Sequence, residues 1–136
     1  MIRQINHNPL LLSQKAKVAT PADQATITDL LDTLRANAQV CVGMAANMIG
    51  VNKRLIVVSM GMMPVAMVNP EIIAKSSPFS TKEGCLSLEG QRPTTRYRQI
   101  TVRYLDRQFN AHQQAFSGWI AQIIQHEVDH CDGILI

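Results

Sequence analysis

Residues 117–133 read Ser-Gly-Trp-Ile-Ala-Gln-Ile-Ile-Gln-His-Glu-Val-Asp-His-Cys-Asp-Gly. Trp119, Ile120, Ile123, Ile124 and Val128 make this stretch apolar on more than one side, which predicts a buried helix. It starts after Ser117-Gly118, runs to about Cys131 and stops near Gly133. His126 and His130 stand at i and i+4, so both imidazoles leave one face of that helix a turn apart and can share one metal ion. Glu127 lies beside the first of them and can act on water without ligating. This is the His-Glu-x-x-His spacing of metal-assisted hydrolysis. The alternative is a pair of surface histidines on an amphipathic helix. Against it, Gln125, His126, Glu127, Asp129 and His130 on an otherwise apolar helix would be costly to bury without a task.

Two histidines leave a site incomplete. His7 and His112 are available but lie in polar, turn-like surroundings. Cys85 is the better third ligand. It sits in Lys82-Glu83-Gly84-Cys85-Leu86-Ser87, where Gly84 permits unusual backbone angles beside the thiol. By itself such a cysteine usually means core packing, and it is the ligand helix that makes ligation the better reading.

Outward from these segments the chain reads as α+β. Residues 1–19 look irregular, with a short apolar patch after Pro9. Thr20 can cap a helix, Pro21 suits its first position, and Ile27, Leu30, Leu31, Leu34 and Ala38 share a face, so a helix is expected to about Ala38. Residues 41–50, Cys-Val-Gly-Met-Ala-Ala-Asn-Met-Ile-Gly, suit a tight packed loop. Arg54–Met60 is a buried strand. Val65–Asn69 is another, ended by Asn69-Pro70, and Ile72 and Ile73 extend the pairing. Gln99–Asp106 alternates as a half-buried strand, residues 108–114 form a polar connection, and Ala115 and Phe116 return.

The 136 residues are 46% hydrophobic and 17% charged, a globular composition that predicts one domain spanning 1–136. A formal charge of +3 is too mild to imply nucleic acid, and the arginines from Arg92 to Arg107, interleaved with apolar residues, read as strands with a solvated face. No run approaches the ~20 apolar residues of a membrane span, and the N-terminus has no signal-peptide core, so the expected location is the cytoplasm. Three cysteines without a signal argue against disulfides.

Together, Gly43-Met44-Ala45-Ala46-Asn47-Met48-Ile49-Gly50, Glu83-Gly84-Cys85-Leu86-Ser87 and Gln125-His126-Glu127-Val128-Asp129-His130 resemble the three motifs of the peptide deformylase family, in its order and at its approximate spacings. The likeness extends through Asn69-Pro70 and Arg96 to Tyr104-Leu105-Asp106. It implies the deformylase fold, antiparallel sheets around a central metal-binding helix. It implies Cys85, His126 and His130 as ligands of one divalent ion, Fe(II) in the family and replaceable by zinc, nickel or cobalt. Glu127 would be the acid/base, and the backbone N–H of Leu86 would face the oxyanion. Gly43, Met48 and Gly84 would line the substrate. The reaction would remove the formyl group from N-terminal formyl-methionine of new polypeptides, by a monomer with no membrane or nucleic-acid partner.

Three positions depart from the family pattern. Cys41 replaces a glycine, the usual proline after the cysteine motif is missing at Leu88-Glu89-Gly90, and Met48 replaces a glutamine that donates to the oxyanion. Methionine has no donor. That favours an alternative reading: a deformylase-like protein with weak or no such activity, acting on another amide or serving as a metal-binding or interaction protein. The C-terminal helix that many bacterial members carry does not follow Gly133.

Overall fold

Leu55, Ile56, Val57 and Val58 have almost no solvent exposure, and their alternation explains the architecture. Leu55 and Val57 join one apolar cluster with Ile27, Leu30 and Leu34, whereas Ile56 and Val58 join another with Ile123, Ile124 and Val128. The strand is sandwiched between two helices, which is why it reads as an unbroken apolar run.

The computed structural model describes residues 1–85 and 87–135. Its elements are α1 (Pro9–Leu12), a 3₁₀ turn (Pro21–Asp23) leading into α2 (Gln24–Ala36), β1 (Gly43–Ala45), a 3₁₀ turn (Ala46–Ile49), β2 (Leu55–Met60), β3 (Met63–Cys85), β4 (Leu88–Leu105), β5 (Ala111–Ser117) and α3 (Gly118–Cys131). The strands form one antiparallel sheet in the order β1-β2-β3-β4-β5, with α2 packed on one face and α3 on the other. The expected α+β class holds, with a single five-stranded sheet in the place of several.

Four local expectations need correction. The irregular N-terminal stretch contains α1, capped by the Asn8 side chain on Leu10 N–H at 3.0 Å. Asn69-Pro70 does not end a strand. Asn69 takes φ 50 and bonds Ala19 through both side-chain atoms, so β3 bulges between Val68 and Glu71 and continues. Residues 75–85 and 87–91, given no element from the sequence, and residues 92–98, read as strand with a solvated face, complete the long β3–β4 hairpin that has Cys85 at its end. The polar stretch at Ala111–Gln114 belongs to β5, because an edge strand needs no apolar alternation.

At the start of α2 the Thr20 N–H is bonded by the Asp23 carboxylate at 2.8 Å, the reciprocal half of a capping box. Helix α3 ends as predicted. Gly133 takes φ 74, its N–H bonds the His130 carbonyl at 3.1 Å and Ile134 N–H bonds that of Asp129 at 2.9 Å, a Schellman closure that only glycine enters without strain. Any Cβ at Gly133 would also fall 2.5 Å from the Ser13 carbonyl oxygen.

Candidate active site

Strand β3 delivers Cys85 at the turn of the long hairpin, and α3 delivers His126 and His130 from below it. Cys85 Sγ lies 3.2 Å from His130 Nε2, and one ligand atom from each of the three residues falls within 4.8 Å of the others. His130 is wholly buried and His126 nearly so. Burial holds the His130 imidazole down at about 3, so His130 stays neutral and keeps a lone pair to donate. A soft thiolate and two imidazoles suit zinc or ferrous iron. The chemistry of this donor set fits the divalent ion that the resemblance implies.

Glu127 is the next residue on α3 and fully buried, and its Oε1 has no hydrogen-bond partner among the described residues. Burial pushes its carboxyl up to about 7, where a carboxyl both takes and releases protons in neutral water. Gly43 on β1 faces it closely. A Cβ there would lie 2.9 Å from Glu127 Oε2 and 2.7 Å from Ile123 Cγ2.

These groups line a cavity of about 720 Å³ whose walls include Gly43, Met48, Gly84, Cys85, Ile123, His126 and Glu127. Met48 is buried, and its sulfur accepts the Ala45 N–H at 3.4 Å. Gly84 has no left-handed backbone, contrary to its expected role. The tightness there is of another kind, since a Cβ would meet the Gly90 carbonyl oxygen at 3.3 Å. Trp119 lies at the cavity rim, 61% exposed, and takes no part in the core assigned to it. The expected oxyanion contact of Leu86 lies outside the described residues. His7 bonds the Ser87 carbonyl and His112 pairs with Asp106, so neither joins the ligand group.

Sequence reasoning missed the support beneath the ligands. The Glu83 carboxylate takes the His126 Nδ1 at 2.8 Å, the Gln122 amide at 2.8 Å, and Nε and Nη2 of Arg96. The bonds from His126, Arg96 and Gln122 outweigh burial and hold Glu83 down at about 2. Arg96 is 3% exposed and reaches Asp129 with its remaining arm at 2.6 Å. It was assigned to a solvated arginine face, and the correction is that it is a buried cross-link between β3, β4 and α3. Gln125, also buried, bonds both backbone atoms of Tyr97 at 2.8 Å and so fixes the rotation of α3 against β4. The motif positions of Glu83 and Arg96 were visible. Their partnership was not, because it needs the hairpin register.

A thiol and two imidazoles converge beside a buried carboxylate in the wall of an open cavity, an arrangement that suits metal-dependent hydrolysis. The sequence matches the polypeptide deformylase family over residues 1–136. It is 54% identical to a peptide deformylase of Clostridium beijerinckii over 100% of both chains. The structure superimposes with a TM-score of 0.90 on the crystal structure of a peptide deformylase from Legionella pneumophila, at 34% identity, covering 99% of this chain and 83% of that one. It also resembles a class I type b peptide deformylase from Acinetobacter baumannii crystallised with Met-Ala-Ser bound, with TM-score 0.86, 30% identity and 99% and 97% coverage. The chain belongs to the polypeptide deformylase family, a family of metal-dependent enzymes. No helix among the described residues is long and apolar enough to cross a membrane.

Proposed function

We propose that residues 1–136 act as one cytoplasmic catalytic domain that hydrolyses the formyl amide of N-terminal formyl-methionine on new polypeptides, with Cys85, His126 and His130 holding one ferrous ion. The observation that carries this reading is the convergence of those three ligand atoms beside buried Glu127. A divalent ion held by Cys85, His126 and His130 would supply Lewis acidity and so a hydroxide-like nucleophile near neutral pH.

The chain's own residues do the rest. Glu127 takes the proton of the attacking water and returns it to the leaving amine nitrogen, so formate and a free α-amine are released. Gly43, having no side chain, leaves Glu127 and Ile123 room to pack against β1 at the cavity wall along which the peptide would lie. Gly84 also lines the cavity, its backbone close to the Gly90 carbonyl, and the Leu86 N–H is the proposed donor to the oxyanion. Glu83 accepts from His126 Nδ1, which leaves Nε2 as that ring's ligand atom and fixes its plane. The Met-Ala-Ser bound to the Acinetobacter relative has the chemistry of a product of this reaction. The enzyme acts as a monomer.

The test is formate release from formyl-Met peptides by protein loaded anaerobically with Fe(II). Release by the wild type, lost in Cys85→Ala together with the metal, is the expected result. No release at full iron occupancy rejects the reading.

A further inference from the structure

When His130 ligates through the Nε2 that faces Cys85, its Nδ1 must carry the proton. A buried N–H then needs an acceptor, and in a residue with no solvent exposure none can come from bulk water. His130 Nδ1 has no partner among the described residues, and neither does Oδ1 of Asn47, itself only 4% exposed. These two unpaired atoms belong to residues already joined. The Asn47 amide Nδ2 donates to the backbone carbonyl of His130 at 2.9 Å. Asn47 is in turn held from behind. Its carbonyl accepts the Asn6 side-chain amide at 3.1 Å, and the next carbonyl, of Met48, accepts the Asn6 N–H at 2.6 Å. The donor that ion binding makes obligatory and the idle acceptor therefore sit on a bonded, anchored pair.

We infer that Asn47 is the positioning residue of His130, its Oδ1 accepting the Nδ1–H when an ion occupies the site, as Glu83 does for His126. The inference rests on the assignment of Cys85, His126 and His130 as ligands. It gives each histidine its own orienting acceptor, one from the hairpin and one from the loop that lines the substrate cavity. Loss of such an acceptor weakens metal binding by about 10- to 100-fold.

The experiment measures Zn(II) dissociation constants, by competition with a chromophoric chelator, for the wild type, Asn47→Leu, Asn47→Asp and Cys85→Ser. Asn47→Leu keeps the shape and removes the acceptor. Asn47→Asp keeps an acceptor and removes the amide donor. The expected result is at least tenfold weaker binding in Asn47→Leu, and wild-type or tighter binding in Asn47→Asp. Of the two Asn47 variants, only the leucine form should show altered absorption when substituted with Co(II), reporting a displaced imidazole. Circular dichroism of the metal-free variants identifies any that fail to fold. Wild-type affinity in Asn47→Leu, or equal weakening in both variants, overturns the inference. If Cys85→Ser binds zinc as the wild type does, the ligand assignment falls and the inference with it. If it does not, failure of the Asn47 series counts against Asn47 alone.

Discussion

Gly43 and Glu127 leave no room for each other's substituents: the first atom of any side chain at 43 would fall 2.9 Å from Glu127 Oε2. Gly43→Ala should therefore displace the carboxylate or Ile123, at a stability cost of about 1–3 kcal/mol. Turnover should fall more than peptide affinity does, because the group displaced moves the proton. Steady-state formate release and thermal unfolding measure both. Unchanged kcat would show that the contact does not place the base.

Glu127→Ala should retain the ion and lose about 10²- to 10⁴-fold in turnover, the range for a lost general acid/base. Metal content by atomic absorption and single-turnover formate release decide it. A variant that turns over normally would mean that water is activated without this carboxylate.

Met48 lines the cavity but offers it no donor. Met48→Gln is expected to raise turnover, by up to about 10²- to 10³-fold, the worth of one oxyanion donor. The geometry favours a productive fit. The sulfur already accepts the Ala45 N–H, a bond that an amide oxygen takes over while its NH₂ points into the cavity. Equal or lower turnover at equal metal occupancy, with the fold intact, would reject the missing-donor account.

Arg96→Met should destabilise the chain by about 3–5 kcal/mol, since it strands two carboxylates, Glu83 and Asp129, away from their shared cation. Arg96→Lys should recover part of this, because an ammonium cannot reproduce the fork on Glu83. Urea midpoints of the two variants test the ordering.

Burial pushes the Cys41 thiol up to about 12 and does the same to Cys131. At pH 8 only about one molecule in ten thousand carries either thiolate. A thiol-specific disulfide reagent should then find no fast-reacting cysteine in the loaded protein and one after chelation, missing in Cys85→Ser. Rapid labelling of Cys41 in the chelated Cys85→Ser variant would contradict this.

The ligand helix was legible because its evidence is local: histidines one turn apart, apolar residues around them, a glycine to end it. The cysteine became a ligand only in combination with that helix and with the family likeness. Arg96 was misread and residues 75–85 and 87–91 left unassigned for one reason. Their roles depend on which strand lies opposite, and the polar composition of a long hairpin does not announce its register. Trp119 misled because position on an apolar helix says nothing about which flank a cavity opens on. Asn47 gave no signal at all, since its partner is a backbone carbonyl distant in sequence.

Ala16 N–H bonds the Cys131 carbonyl at 2.8 Å, and Gly133 abuts Ser13. The helix bearing both histidines is thus sealed by backbone from the opposite end of the chain. This imposes an order of assembly. The β3–β4 hairpin, with Cys85 at its turn, can zip through contacts close in sequence. The imidazoles reach the thiol only after α3 docks, and its last turn is secured only by a closure across nearly the whole chain, late because its entropy must be met first. The ion should therefore be captured by an almost finished fold, so that added zinc leaves the refolding rate alone and slows unfolding.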